Sequence, residues 1–232
     1  MSNPDLSLLI TRALGVLEQL EAWLPAAPKP VDWSAKAFRW RKKGATAWLE
    51  AIHITDTIKP EDLLHIERQK EIIDRNTRFF VAGKPANNVL MTGSRGTGKS
   101  SLVKAMLNKY ADQGLRLIEV DKTDLNDLGD IVDLVHERPE RFLIFCDDLS
   151  FDEGEVGYKA LKSVLDGSIA ASGENILIYA TSNRRHLMPE YMQENLKTTY
   201  RDDGEVHPGE AIEEKISLSE RFGLWLSFYP FR

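Results

Sequence analysis

The chain has 232 residues, 42% of them hydrophobic and 28% charged, with a formal net charge of −6. That balance suits a globular fold and gives no reason to expect a general polyanion binder. A single cysteine, Cys146, excludes an internal disulfide and suits a reducing, cytoplasmic compartment; no apolar run approaches membrane-spanning length, so neither secretion nor membrane insertion is expected.

Residues 5–24 carry Leu6, Leu9, Leu17, Leu20 and Trp23 in a mostly helical rhythm, closed by Pro25, Pro28 and Pro30, which predicts a helix and a stiff linker. The stretch from Trp33 to Lys43 then combines Lys36, Arg39, Arg41, Lys42 and Lys43 with three aromatics and no acid. It reads either as a nucleic-acid contact by charge and stacking, or as an amphipathic segment whose rings pack inward while its cations reach water. Residues 1–58 are thus predicted to form a small helical N-terminal region, and 59–232 the main domain. Pro60-Glu61-Asp62 opens a helical pattern over 60–82 that ends near Gly83-Lys84-Pro85. Beyond it, β-rich apolar runs at Val89–Thr92, Leu115–Val120, Phe142–Cys146, Ile176–Thr181 and Leu224–Tyr229 alternate with helical patterns near 98–112, 124–137, 156–171 and 209–222. Five strands alternating with helices predict an α/β fold with a parallel sheet covered on both faces.

The first of these runs leads into Gly93-Ser94-Arg95-Gly96-Thr97-Gly98-Lys99-Ser100, followed by Ser101 and a helical pattern. This is the G-x-x-x-x-G-K-[ST] phosphate-binding loop in its required strand–loop–helix setting. Its glycines let backbone N–H groups approach an anion, and the helix start adds a partial positive charge. Lys99 is expected to reach the β- and γ-phosphates of a nucleotide and Ser100 to ligate Mg²⁺. The strand Phe142–Cys146 ends in Asp147-Asp148, a Walker B arrangement. In a parallel sheet, strand carboxyl ends face the ligand crevice, so Asp147 is expected to hold Mg²⁺ and Asp148 to orient or deprotonate the attacking water. Asn183, just past the fourth strand, is a candidate for positioning that water, its alternative being a turn cap. Arg221 in Ser219-Glu220-Arg221-Phe222-Gly223 serves either a helix C-terminus or a neighbouring subunit's nucleotide.

Taken in order, Gly93–Ser100, Asp147-Asp148, Ala180-Thr181-Ser182-Asn183 and Ser219–Gly223 resemble the Walker A, Walker B, sensor 1 and arginine-finger motifs of AAA+ ATPases. More closely, Asn87–Ser101, Phe145–Phe151 and Tyr158–Gly167 look like the family called domain of unknown function 815, the likeness running from about Glu61 to Arg232. The AAA+ resemblance implies a three-layer P-loop core with strand order 5-1-4-3-2. It makes Asp62–Ile66 the segment that cradles adenine, with Leu63, Leu64 and Ile66 as apolar contacts. It favours Arg221 as a finger acting between subunits of a homo-oligomer. One departure is His65, where the family prefers Gly. Another is the small helical lid with its sensor 2 arginine, which AAA+ proteins carry after the fifth strand and the sequence given does not include. The implied activity is Mg²⁺-dependent ATP hydrolysis that rearranges a protein or nucleic-acid client. The alternative is a nucleotide-gated switch with little hydrolysis, motivated by the missing lid and by Asp148 being one methylene shorter than Glu. A GTPase would need an Asn-Lys-x-Asp motif, and a small-molecule kinase a basic lid; the sequence has neither.

Overall fold

The computed structural model describes residues 12–15, 30–44, 46–53, 56–151, 156–166, 175–183, 199–200, 206–207 and 221–230. In chain order they form β1 (Ala37–Lys43), β2 (Thr46–Ile52), a 3₁₀ turn at Pro60–Asp62, α1 (Glu67–Val81), β3 (Val89–Gly93) and α2 (Lys99–Tyr110). There follow β4 (Leu115–Val120), a 3₁₀ stretch at Lys122–Asp127 running into α3 (Leu128–Val135), β5 (Arg141–Cys146), α4 (Val156–Leu165) and β6 (Ile176–Ser182). The short pair β7 (Thr199–Tyr200) and β8 (Val206–His207) stands apart, and β9 (Leu224–Phe228) completes the main sheet.

The main sheet has the order β2-β1-β4-β5-β6-β3-β9. Its five central and right-hand strands, β4, β5, β6, β3 and β9, are mutually parallel. Strand alternation splits the core in two. Leu90, Phe142, Ile144 and Ile178 face α3 and α4, where Leu128, Ile131, Val135 and Leu161 cover them. Val89, Met91, Leu143, Phe145 and Tyr179 face α1 and α2, where Ile73, Phe80, Leu102 and Met106 cover them. Both faces being buried explains why these strands read as continuous apolar runs rather than alternating ones.

The structure corrects the expected five-stranded parallel sheet: it has seven strands and is mixed. The extra two come from the segment expected to be helical. Phe38 and Trp40 alternate with Arg39 and Arg41, a period of two that suits a strand whose alternate residues face opposite ways. β1 and β2 form an antiparallel hairpin from Ala37↔Ile52 to Lys43↔Thr46, and β1 docks parallel on β4. The sheet is therefore continuous across the expected boundary at residue 58. Of the expected helix over 5–24, residues 12–15 are helical and the rest lies outside the described residues.

Docking of the hairpin gives the basic–aromatic stretch its surroundings. Phe38 and Trp40 are buried, and Trp33 packs edge-on to Phe142 with the Arg138 guanidinium 3.8 Å above its ring. Four of the five cations are ion-paired: Lys36 with Asp112 at 3.0 Å, Arg39 with Glu119 at 2.6 Å, Arg41 with Glu50 at 2.7 Å and Lys42 with Asp127 at 2.8 Å. Trp40 Nε1 donates to Asp127 Oδ2 at 3.0 Å. Burial alone would raise the Asp127 carboxyl, but the hydrogen bonds from Lys42 and Trp40 outweigh it and hold the group below the ordinary carboxylate range. The rings thus pack into the core while the paired cations stay about half exposed, the arrangement of the amphipathic reading.

Two helices begin later than their patterns suggested. The 60–82 helix starts at Glu67, because His65 adopts a positive φ of 65° that breaks any helix before it. The fully formed part of the 124–137 helix starts at Leu128, after the 3₁₀ stretch. The expected helix over 209–222 lies outside the described residues, apart from the turn at Arg221 and Phe222.

Candidate functional site

The loop from Gly93 to Ser100 links the end of β3 to the first turn of α2. Gly93 has φ +142°, and a Cβ there would stand 2.0 Å from the carbonyl oxygen of Phe228 on β9. Real Cβ atoms never come so close to backbone oxygen, so Gly93→Ala is expected to destabilise the fold by about 4 kcal/mol or more, the range of severe backbone clashes. Urea unfolding of the variant checks this. Gly98 caps α2 in the left-handed conformation, φ +88°, and opens a helix whose first-turn N–H groups have no intrahelical acceptor. Thr97 Oγ1 donates to the Ser94 carbonyl at 2.8 Å and tightens the loop.

Within this loop the Lys99 side chain is folded back and buried. Its Nζ donates to the carbonyls of Gly93 at 2.7 Å and Ser94 at 2.8 Å, and to Asn183 Oδ1 at 3.1 Å. Desolvation pulls the Lys99 ammonium below its ordinary pKa, while Asp147 and Asp148 act in the opposite direction.

The neighbouring strand ends supply the acids. Ser100 Oγ donates to Asp147 Oδ1 at 2.8 Å. Asp148 sits at φ +52°, and its carboxylate is held at both oxygens: Asn183 Nδ2 donates to Oδ1 at 2.5 Å and Arg95 Nη2 to Oδ2 at 3.0 Å. Together Arg95–Ser101, Asp147, Asp148, Thr181 and Asn183 line one cleft of about 260 Å³. The parallel sheet explains this convergence, since the carboxyl ends of β3, β5 and β6 lie side by side.

Three other expected site residues lie differently. Ile66 is buried beside the loop, 3.5 Å from where a Cβ on Gly98 would stand, with Leu63 at 4.0 Å. Leu64 points outward and is 64% exposed. Arg221 does not line the cleft; it precedes β9, and its guanidinium is hydrogen-bonded to Asp166 just after α4. Two features went unseen in the sequence: the ion pair from Arg95 to Asp148, and the part taken by Thr181.

A second and larger cleft, about 590 Å³, shares Asp147 and Asp148 with the first and extends to Arg39, Lys42 and Glu119 beneath the hairpin. Among the described residues no helix is long and apolar enough to cross a membrane.

A family model described as protein of unknown function DUF815 matches residues 33–232. The chain belongs to that family. The DUF815 match begins before β1, so it takes in the hairpin as well as the P-loop core, an extent wider than the motifs alone implied. No curated protein matches the sequence. Among solved structures, the chain is similar to DnaI at 19% identity, covering 75% of this chain and 88% of that one, with a TM-score of 0.47. It is similar to a point mutant of Thermotoga maritima RuvB at 14% identity and TM-score 0.49, covering 75% of this chain and 49% of that one. The Thermotoga maritima RuvB Holliday junction branch migration motor gives 14% identity and TM-score 0.43, over 72% and 46%. The chain thus spans about half the length of the RuvB chains.

Proposed function

We propose that this DUF815 protein binds ATP with Mg²⁺ and hydrolyses it as a cytoplasmic AAA+ ATPase, rearranging a protein or nucleic-acid client. The carrying observation is that Lys99, Ser100, Asp147, Asp148 and Asn183, drawn from three strand ends, meet in one cleft through direct hydrogen bonds. The residues fit the cofactor. Ser100 Oγ and the Asp147 carboxylate are hard oxygen donors from two elements, a small set that suits an ion keeping most of its water and phosphate ligands. Mg²⁺ bound there would neutralise charge on the phosphate oxygens. The loop N–H groups and the α2 N-terminus hold the phosphates, and Lys99 exchanges its loop carbonyls for them. Ile66 and Leu63, next to Gly98, present an apolar wall for the base; Leu64 is assigned no contact in this conformation. Asp148 accepts a proton from the attacking water while Asn183 orients it. Arg221, held by Asp166 outside its own chain's cleft, completes the site of a neighbouring copy in a homo-oligomer.

The test is Mg²⁺-dependent ATP turnover per subunit over a wide protein concentration range, with Lys99→Ala as control. Specific activity is expected to rise with concentration, and Lys99→Ala to remove it along with tight nucleotide binding. Turnover unaffected by Lys99→Ala would overturn the reading.

One observation favours a second reading, a nucleotide-gated switch. Both Asp148 oxygens already accept hydrogen bonds, from Asn183 and Arg95, and in a switch these contacts would hold the acid in place rather than serve an attacking water. In that reading ATP binds with normal affinity and turnover stays negligible at every concentration.

A further inference from the structure

We propose that Thr181 is the positioning residue of the Mg²⁺ site, its hydroxyl fixing which oxygen of Asp147 is presented to the cleft. The proposal rests on the reading of this cleft as a Mg²⁺–nucleotide site.

Thr181 is fully buried at the end of β6, one strand over from the acids. Cys146 pairs with Ala180 in the parallel register of β5 and β6, which brings the next residues, Asp147 and Thr181, side by side. A threonine hydroxyl has one proton to give and lone pairs to accept with. Here Oγ1 donates to Asp147 Oδ1 at 2.5 Å and accepts from the Asp148 backbone N–H at 2.9 Å. Its own carbonyl accepts from the Leu149 N–H at 2.7 Å. One residue thus holds three consecutive positions of the acid-bearing turn.

The consequence for Asp147 follows from counting acceptor sites. Oδ1 accepts from Ser100 Oγ, Thr181 Oγ1 and the Asp148 N–H, which fills it. Oδ2 takes no hydrogen bond among the described residues and is left as the metal-facing oxygen. Without the Thr181 hydroxyl, Oδ1 keeps only Ser100 Oγ and the Asp148 N–H, and the carboxylate loses its one anchor from the neighbouring strand β6. The Asp148 N–H then keeps only its 3.1 Å bond to Asp147, and the positive φ of Asp148 loses its outside support. Partners of metal-binding groups typically change metal affinity by about 10–100-fold when removed.

The experiment measures ADP affinity by titration calorimetry with and without Mg²⁺, in the full chain and in Thr181→Val and Thr181→Ser. Valine matches the shape of threonine without the hydroxyl; serine keeps the hydroxyl. We expect Mg²⁺ to tighten ADP binding in the parent and in Thr181→Ser, and the tightening to fall by at least about tenfold in Thr181→Val. Affinity without Mg²⁺ should be the same in all three. If Thr181→Val does not melt cooperatively, Thr181→Ala, which removes the same hydroxyl with less bulk, is read in its place. Full tightening in the hydroxyl-free variant overturns the proposal, as does equal loss in Thr181→Ser, which would assign the effect to the methyl group and packing. A parent chain that binds ADP no tighter with Mg²⁺ overturns the Mg²⁺ part of the proposed function, and this proposal with it, and a parent that binds no ADP overturns the nucleotide-site reading itself.

Discussion

Asp148→Asn is expected to lower ATP turnover on the order of 10²–10⁴-fold, the usual contribution of a positioned general base, while ADP affinity is retained. The amide has the size of the carboxylate and still offers one oxygen, so a hydrogen bond from either Arg95 or Asn183 survives and the cleft keeps its shape. What it lacks is the capacity to take a proton. Single-turnover hydrolysis beside ADP titration separates the two properties. Equal rates for parent and variant would mean that Asp148 performs no proton transfer, and the switch reading would then account for the cleft.

The second large effect concerns a residue outside the cleft. Arg221→Ala is expected to reduce turnover on the order of 10³–10⁵-fold, the scale associated with an arginine finger. ADP binding to the isolated subunit should not change, because the Arg221 guanidinium is held by Asp166 rather than by the P-loop. The remaining rate should no longer rise with protein concentration. Asp166→Asn is the informative partner: it releases the guanidinium without removing its charge. If Arg221 served only to anchor Asp166, both variants should behave alike. If it acts on a neighbouring copy, Asp166→Asn should keep most of the activity that Arg221→Ala loses.

The parts of the fold legible in the sequence were those written by local chemistry. Val89–Gly93, Leu115–Val120 and Arg141–Cys146 are mostly apolar and end at glycines or acids, so strand and limits were readable to within a residue. The phosphate loop and Asp147-Asp148 were readable because each combines a strand end with an unusual local composition. The hairpin was missed because its meaning is non-local. Arg39, Arg41 and Lys42 are a basic run in sequence, and only their distant partners Glu119 and Asp127, with the nearer Glu50, turn them into ion pairs. His65 shows the same limit in reverse. As the departure from Gly it stood out, but the reason, a φ of +65° tolerated at some cost, is visible only in the backbone. Thr181 went unnoticed because an isolated threonine on a buried strand carries no signal until the register sets it beside Asp147.

The hairpin also sets where this protein can be cut. Composition drew a line at residue 58 and invited the view that the nucleotide-binding part begins there. β1 instead covers the flank of β4, and Phe38 fills the core against Ile118 and Phe142. A chain trimmed to residue 59 would bare the flank of Leu115–Val120, a mostly apolar strand with free N–H and C=O groups, and leave a hole the size of a phenyl ring beneath it. Such a fragment would keep every motif of the phosphate cleft and still clump through its raw flank. The smallest unit that stands alone starts upstream of Ala37, and loss of activity on trimming to residue 59 would report aggregation rather than chemistry.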